Sequence, residues 1–197
     1  MLDLCAGAGG KTLALAALMQ NTGQLYAHDA DRHQLKPIFA RLKRAGVRNA
    51  QVLRAGDNAA LDALGARFDV VLVDAPCTGS GTWRRRPDAK WRLKPEALAA
   101  RLAEQCLVLS RAAGLVKPGG RLVYVTCSVL PEENTGQVAR FLEDNAGFRQ
   151  LQTADVWAAA LPGDPPPSAD GRRDSLLLTP GRHGTDGFFI AVLERTP

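Results

Sequence analysis

The sequence lacks several features that would each assign it to a broad class of protein. No apolar stretch approaches the roughly 20 residues that a membrane-spanning helix needs, and the N-terminus has none of the regions of a signal peptide. The four cysteines, Cys5, Cys77, Cys106 and Cys127, form no C-x-x-C pair, so their spacing indicates neither a zinc or other metal site nor a disulfide framework. We therefore expect a cytoplasmic protein with reduced thiols.

Length and pattern predict a single domain over residues 1–197. The chain is long enough for a sizeable core, shows no internal repeat and alternates strand and helix patterns without interruption. Its formal charge of +5 favours a polyanionic partner. A basic enzyme without such a partner is about as compatible with the charge alone.

Two apolar runs end in motifs that contain cysteine. Residues 68–74 and 121–126 are rich in β-branched residues and bounded by turn formers, so each predicts a strand buried on both faces. Between them, residues 95–115 show helical spacing, followed by a Lys-Pro-Gly-Gly stop signal. Such a crossover makes the strands parallel, so Cys77 and Cys127 should open on the edge where ligands of α/β sheets bind. Two cysteines at that edge suggest covalent chemistry on a pyrimidine.

The N-terminal region predicts a strand, a glycine-rich turn and a helix. The strand and turn occupy residues 2–12, and the helix residues 13–19. A Walker A loop would need glycine in place of Cys5, and a G-x-G-x-x-G loop would need glycine in place of Thr12. The spacing therefore argues against both ATP and NAD.

Acidic residues follow the next two predicted strands. These strands are expected over residues 24–28 and 50–54. Asp29 can accept hydrogen bonds from ribose hydroxyls, whereas Asp31 fits the N-cap of a helix over residues 32–45. Asp57 could bond an adenine amino group, although a lone aspartate in a turn is more often structural. Together the positions describe an adenosine pocket without a phosphate cradle.

Five motifs occur in the order found in one known family. They are Cys-Ala-Gly-Ala-Gly-Gly-Lys-Thr at 5–12, Asp-Ala-Pro-Cys-Thr-Gly-Ser-Gly at 74–81, Arg-Pro-Asp-Ala-Lys-Trp at 86–91, Thr-Cys-Ser-Val-Leu-Pro-Glu-Glu-Asn at 126–134 and Asp-Gly-Phe-Phe at 186–189. On these motifs nearly the whole chain resembles the Sun-type RNA cytosine-5 methyltransferases, especially their bacterial small-subunit ribosomal RNA members. Ala8 stands where many members have proline, but it preserves a tight glycine turn.

The resemblance implies a Rossmann-like, doubly wound α/β methyltransferase fold. Its sheet should be mostly parallel, with an antiparallel C-terminal strand. The residues place that last strand at 187–194, after a mobile loop over residues 161–174.

The resemblance also implies ligands and residue roles. S-adenosylmethionine would be the methyl donor, S-adenosylhomocysteine the product, and RNA, foremost ribosomal RNA, the partner. Asp29 would bind the ribose and Asp57 the adenine. Cys127 would be the nucleophile, Cys77 would help to release the product, and Asp74 would contact the target base and the donor. The methionine portion would be held by the glycine loop, Cys5, Ala6, Gly7, Ala8, Gly9, Gly10 and Lys11.

The chemistry of cytosine explains why two cysteines are needed. Carbon 5 is a poor nucleophile, and adding the Cys127 thiolate to carbon 6 pushes electron density onto it. After methylation, carbon 5 must lose its proton and the sulfur must leave, which Cys77 is placed to assist. A free cysteine titrates near about 8.5, so Cys127 needs activation, and Lys11 is one candidate cause. Asp74 would stabilise charge that develops on the base.

A cationic segment lies between the two cysteine motifs. It contains Arg84, Arg85, Arg86, Lys90, Arg92 and Lys94, with Trp83 and Trp91 interleaved. With Lys11, these cations could grip RNA phosphates, and a tryptophan could stack on a base. For the tryptophans, a solvated loop that tucks them inward is equally compatible. The target base must leave its stack to reach a thiolate, which favours an unpaired cytosine.

Three alternatives to a complete RNA methyltransferase stay open. Met1 falls inside the predicted first strand, whereas family members carry preceding residues that help to bind RNA. We therefore expect a misassigned start, a fragment, or a partner chain that supplies the missing surface. A non-catalytic RNA-binding or assembly module is a second alternative. A DNA cytosine methyltransferase that uses Cys77 is less supported, because Asn134 is followed by Thr135 where a Glu-Asn-Val motif would need valine.

Overall fold

An eight-stranded sheet runs through the computed structural model, which describes residues 1–197. The strands are β1 (Leu2–Asp3), β2 (Leu25–Ala27), β3 (Ala50–Val52), β4 (Phe68–Asp74), β5 (Val116–Thr126), β6 (Phe148–Gln150), β7 (Ser175–Leu178) and β8 (Phe188–Arg195). The helices are α1 (Gly10–Leu18), α2 (Arg32–Leu35), α3 (Ile38–Arg44), α4 (Asn58–Asp62), α5 (Ala89–Arg92), α6 (Pro95–Leu115), α7 (Thr135–Asp144), α8 (Thr153–Ala158) and α9 (Pro180–His183). Single 3₁₀ turns lie at Ser80–Thr82 and Pro131–Glu133. None of the helices is both long and apolar enough to cross a membrane.

The strand order places a crevice between β1 and β4. The order is β3-β2-β1-β4-β5-β8-β6, with β7 paired to β8. Strands β3, β2, β1, β4 and β5 are neighbours in that order and run parallel to one another. Strand β8 is antiparallel to β5, β6 and β7. The mostly parallel sheet with an antiparallel C-terminal strand is therefore confirmed. The chain moves outward from β1 to β3 and returns to β4, so the β1/β4 boundary is a topological switch point, where ligands bind in open α/β sheets.

The predicted strand–helix–strand unit is present. β4 and α6 have the bounds that the apolar pattern predicts. β5 begins at Val116, five residues before the predicted start at 121, and its register with β4 shifts between Phe68 and Val70. Beyond this irregularity Leu72 pairs with Val123. The loops that carry Cys77 and Cys127 therefore both begin at the carboxyl ends of these parallel strands.

Two hydrophobic clusters hold helices against the sheet. The larger has 19 buried residues, among them Leu109 of α6, Phe141 of α7 and Tyr124 of β5. The smaller has five, including Ile38 and Leu42 of α3. Since burying a large apolar side chain contributes roughly 1.5–3 kcal/mol, the larger cluster dominates stability, and the smaller one fixes which face of α3 turns outward.

One predicted helix is wrong in its extent. The pattern predicts a single helix over residues 32–45, but the structure has two short helices, α2 and α3, separated at Lys36 and Pro37. Proline lacks the N–H that would donate to the carbonyl of His33, so the helical hydrogen-bond ladder breaks there.

The segment over residues 161–174 contains no helix or strand, as predicted for a loop. Its second half is tied to β7. The amide N–H of Leu177 donates to Ser168 Oγ at 2.8 Å, and the N–H of Ala169 donates to the Leu177 carbonyl at 2.9 Å. The mobility of the segment stays a prediction.

Candidate active site

The two cysteines that end neighbouring strands face each other. Cys77 Sγ lies 3.3 Å from Cys127 Sγ, within hydrogen-bond reach, and both residues are half-buried. Cys77 follows β4 and Cys127 follows β5, whose pairing continues beyond Asp74 through the Ala75 N–H, which donates to Val125 O at 2.8 Å. The structure therefore brings together the pair that the sequence pattern selected.

The hydrogen bond between the sulfurs makes the pair unequal. It lowers the pKa of Cys127, with a smaller contribution from the cation of Lys11 in the same direction. The same bond, followed by burial, raises the pKa of Cys77. These opposite shifts favour Cys127 as the sulfur of the pair that loses its proton first, and the thiolate is the reactive form of cysteine. Lys11, the suggested activator, is thus the lesser cause.

An ion pair bridges the glycine loop and the cysteine loops. Lys11 Nζ, in the first turn of α1, lies 2.5 Å from Asp74 Oδ2 at the end of β4. Both side chains keep about a third of their surface exposed, at 39% and 32%, so a ligand entering from solvent can reach them. The pair lies across the β1/β4 crevice.

A buried carboxylate anchors the loop that carries Cys77. Glu133 is fully buried and accepts hydrogen bonds from the Thr78 N–H at 2.8 Å and the Thr78 hydroxyl at 2.6 Å. Gln105 of α6 donates to Glu133 at 3.0 Å and to the Pro76 carbonyl at 2.9 Å. Buried charges are tolerated only when hydrogen-bonded or paired, and here the direct partners of Glu133 are Thr78, which follows Cys77, and Gln105, which also holds the Pro76 carbonyl on the other side of Cys77.

Further polar contacts join the loops of Cys77 and Cys127. The Ser80 hydroxyl lies 2.9 Å from the Ser128 hydroxyl, and Asn134 accepts from the Thr126 hydroxyl at 2.6 Å while donating to the Ser128 carbonyl at 2.9 Å. These side chains are all buried. The loops therefore form one hydrogen-bonded unit.

Two glycines allow a third segment to join this unit. The Gly81 N–H donates to the Cys127 carbonyl at 2.9 Å, and the Gly187 N–H donates to the Gly81 carbonyl at 2.8 Å. A Cβ on Gly81 would lie 2.2 Å from the Gly187 oxygen, so only glycine fits this approach. The motif that precedes β8 thus packs backbone against backbone on the cysteine loops.

The glycine loop after β1 is fixed from both sides. Gly9 has φ +82°, and a Cβ there would lie 2.4 Å from Ile38 of α3. The Gly7 N–H donates to Asp29 Oδ2 at 2.8 Å, and the Asp31 N–H donates to Asp29 Oδ1 at 2.8 Å. Asp29 is therefore held rigidly beside the loop that the sequence pairs it with.

The other acidic residues of this half also have structural partners. Asp31 caps α2 by accepting from the His33 N–H at 2.7 Å, as predicted. Asp57 caps α4 by accepting from the Ala60 N–H at 3.0 Å, so it has the structural role that a lone aspartate in a turn commonly has. The contact between Asp57 and adenine stays a prediction. Asp3, wholly buried in β1, accepts from the Thr12 hydroxyl at 2.6 Å.

The field around the glycine loop is negative. Burial, helped by the charges of Asp74 and Asp29 and opposed by the Thr12 hydrogen bond and the Lys11 charge, raises the pKa of Asp3 to about 6. Burial and the same kind of acidic neighbours raise the pKa of Cys5. A loop with left-handed glycines for close backbone approach, set among carboxylates, suits a ribose and a cationic ammonium or sulfonium group better than a phosphate. These residues therefore fit S-adenosylmethionine.

The cationic segment is mostly exposed, but two of its arginines are already paired. Arg85 lies 2.6 Å from Asp186, and Arg92 lies 2.5 Å from Asp88. Arg84, Arg86, Lys90 and Lys94 are exposed and belong to no ion pair. Trp91 is 81% exposed with the Lys90 ammonium 4.6 Å from its ring centroid, whereas Trp83 is half-buried. Trp91 is therefore exposed enough to stack on a base, whereas Trp83 is partly tucked inward.

The sequence pattern predicts no role for the residues whose hydrogen bonds hold the loops of Cys77 and Cys127. Glu133, Asn134 and Thr78 stand inside motifs that were recognised, yet Gln105 lies in the middle of α6, far from any motif. A buried glutamine on an otherwise apolar helical face is the signal that could have found it.

Comparison with known proteins gives consistent matches along the chain. The family described as "16S rRNA methyltransferase RsmB/F" matches residues 1–194. Ribosomal RNA small subunit methyltransferase B of Klebsiella pneumoniae is 37% identical over 194 residues, which cover 98% of this chain and 41% of that protein. The protein of the same description from Sodalis glossinidius is 41% identical over 175 residues, which cover 87% of this chain and 40% of that protein.

A solved structure extends the comparison to three dimensions. NSun6 from Pyrococcus horikoshii, solved with SFG, is 30% identical with a TM-score of 0.83, over 100% of this chain and 47% of that one. The present chain spans about two fifths of the length of the curated relatives above.

Proposed function

The chain belongs to the RsmB/F family of 16S rRNA methyltransferases, and from that membership we propose that it methylates carbon 5 of a cytosine in RNA, foremost ribosomal RNA, with S-adenosylmethionine as donor. The observation that carries the position and mechanism is the 3.3 Å contact between Cys77 Sγ and Cys127 Sγ at the carboxyl ends of β4 and β5, beside the switch point of the sheet. We further propose that residues 1–197 act as one domain in this reaction.

The donor would be held by the β1 side of the crevice. The glycine loop from Cys5 to Lys11 would approach the methionine portion, Asp29 would accept from the ribose hydroxyls, and Asp57 would use the carboxylate oxygen not bonded to Ala60 for the adenine. Bound there, S-adenosylmethionine supplies an electrophilic methyl group and leaves as S-adenosylhomocysteine. Asp74 stands between this side and the cysteines.

The reaction begins with the Cys127 thiolate. Its sulfur adds to carbon 6 of cytosine, which turns carbon 5 into a nucleophile. Asp74 contacts the base edge, and the proton that Lys11 donates to this carboxylate can pass through it to ring nitrogen 3, so that negative charge does not accumulate on the ring. Lys11, ion-paired with Asp74, holds this carboxylate in place.

Cys77 acts after carbon 5 has been methylated. Carbon 5 must lose its proton, and the bond between carbon 6 and Cys127 Sγ must break. Cys77 Sγ lies 3.3 Å from Cys127 Sγ, and we assign it to this proton transfer: its thiol proton passes to the departing Cys127 sulfur, it takes up the carbon 5 proton in exchange, and Cys127 then releases one proton to solvent to restore its thiolate. On this assignment the two thiols cannot exchange roles.

The decisive experiment traps the covalent intermediate. Cys77→Ala, incubated with RNA and labelled S-adenosylmethionine, should form a protein–RNA adduct that survives denaturing electrophoresis, because addition proceeds and release stalls. Cys127→Ala should form no adduct. Cys106→Ala, which changes a half-buried cysteine of α6, is the matched control and should turn over like the unchanged protein.

Other outcomes lead to other functions. Turnover by Cys127→Ala together with loss of addition by Cys77→Ala would indicate a DNA-type cytosine methyltransferase. Binding of both RNA and donor without transfer to any nucleic acid would indicate a binding or assembly module. Mass mapping of the methylated base would separate carbon 5 from other positions.

A further inference from the structure

A second run of positive charge lies outside the segment beside the cysteines. Residues 32–56 contain seven lysines and arginines and no aspartate or glutamate, although the whole chain has a net charge of only +5. The rest of the chain is therefore net negative. The seven are Arg32, Lys36, Arg41, Lys43, Arg44, Arg48 and Arg54. Six of them are exposed, all except the half-buried Arg41, and none is in an ion pair, whereas two arginines of the other segment are.

The packing of α3 turns the charges of this helix toward solvent. Ile38 and Leu42, one helical turn apart, are buried against the sheet. Phe39 and Lys43, also one turn apart, therefore share the outward face, where Phe39 is 59% exposed. An exposed aromatic ring on a face that also carries unpaired cations suits a partner that is both anionic and able to stack.

This surface reaches the active edge. Arg41 Nη1 donates to the Ala8 carbonyl of the glycine loop at 2.8 Å, and Gly9 packs on Ile38. The far end of the surface lies toward the amino ends of the parallel strands. There the Arg48 N–H donates to Asn21, which lies between the end of α1 and the start of β2, at 3.0 Å. A polymer that enters the crevice could therefore continue across α3.

We propose that the α3 cationic face, consisting of Lys36, Phe39, Lys43, Arg44 and Arg48, binds the backbone and one unpaired base of the substrate RNA outside the target nucleotide. RNA fits better than an acidic protein, because its phosphates neutralise the cations while a base can stack on the phenyl ring. The inference rests on the proposed function for the identity of the polymer. It adds a second contact surface on the donor side of the molecule.

Binding measured without methyl transfer tests this inference. The 197-residue protein is titrated, without donor, with an RNA stem–loop of about 30 nucleotides and with a single-stranded RNA of about five nucleotides, over a range of salt concentrations. Lys43→Gln combined with Arg44→Gln should weaken binding of the long RNA about tenfold and reduce the slope of log affinity against log salt by about two. Binding of the short RNA should change less, because it cannot cover both surfaces.

Phe39→Ala separates stacking from charge. It should lower affinity for the long RNA about tenfold while leaving the salt slope unchanged, since stacking releases no counterions.

The matched control for the Lys43/Arg44 charge variant combines Arg140→Gln with Arg173→Gln. These two exposed arginines belong to no ion pair and lie near β6 and β7, at the other end of the sheet. The control should bind as the unchanged protein does. All the altered side chains are exposed or on the surface, and circular dichroism checks the fold.

Several results would overturn the inference. These are wild-type affinity in the Lys43/Arg44 variant, an equal loss in the control, or no binding of either RNA at low salt. Wild-type RNA affinity in both α3 variants would point to an acidic protein partner instead. The proposed function fails separately, through absence of the Cys77→Ala adduct, so a protein that forms the adduct but binds RNA without α3 would disprove only the second surface.

Discussion

The donor side and the cysteine side of the crevice are built in different ways. On the donor side, Asp31 and Asp57 accept from amides two or three residues away, and the bonds from Gly7 to Asp29 and from Arg41 to Ala8 tie the glycine loop to positions 22 and 33 residues away. On the cysteine side, the side-chain contacts that join the loop of Cys77 to the loop of Cys127 link residues about 50 apart, such as Thr78 with Glu133 and Ser80 with Ser128. Binding the methyl donor needs mainly a rigid loop. Addition to the base and elimination from it need two loops that are placed accurately relative to each other.

This contrast predicts where substitutions do most harm. A change in the cysteine-side network should disturb the relative placement of two sulfurs and should lower turnover strongly. A change on the donor side should act on one ligand and one local turn.

The largest effect is expected from Glu133→Gln. The amide keeps the size but removes the charge and sets an NH₂ group against donors that include the Thr78 N–H, which lies 2.8 Å from the carboxylate. We expect turnover to fall at least about 100-fold and the free energy of unfolding to fall by about 2–4 kcal/mol. Urea unfolding and methyl transfer at saturating ligands measure the two effects. Glu132→Gln, one residue earlier and exposed, is the control, and equal behaviour of the two variants would contradict the anchoring role.

Gly81→Ala should come next. Its Cβ would lie 2.2 Å from the Gly187 oxygen, so the segment before β8 must move away from the cysteine loops. We expect a loss of about 2–3 kcal/mol in unfolding free energy and a matching fall in turnover. Gly114→Ala has no atom within 4 Å of the added Cβ and lies in α6, so it should be neutral or should stabilise the protein by about 0.5–1 kcal/mol. Unchanged stability of Gly81→Ala would mean that the three segments are not tightly coupled.

On the donor side, Asp3 should make stability depend on pH. Its pKa rises from 3.8 to about 6 on folding, chiefly because it is buried. The folded state therefore binds the proton more tightly, and stability should fall as pH rises through that window. Relative to Asp3→Asn, the unchanged protein should lose about 2–3 kcal/mol between roughly pH 4 and pH 7. Urea unfolding at several pH values tests this, and parallel curves for the two proteins would refute it.

The sequence predicted the two sides unequally, for a physical reason. Strand ends, helix caps and glycine turns are local, so β4, α6, the Asp31 cap and the edge shared by Cys77 and Cys127 followed from spacing. The break at Pro37 is also local, because proline lacks an N–H, but the helical spacing of apolar residues continues across it and predicts one helix. The partnership of Gln105 with Glu133 depends on how α6 lies against two loops, and no local pattern encodes that.

The smallest effect expected is a change in donor affinity. In Asp29→Asn one oxygen that accepts from the Gly7 or Asp31 N–H is replaced by an NH₂ group, which cannot accept, so both the glycine loop and the ribose contact lose support. Affinity for S-adenosylhomocysteine, measured by calorimetry, should fall about tenfold. Asp31→Asn keeps a capping oxygen for α2 and lies outside the proposed ribose contact, so its affinity should be unchanged. If both variants lose affinity equally, the two aspartates act only through the shape of their turn, and the donor side would then depend on coupled placement much as the cysteine side does.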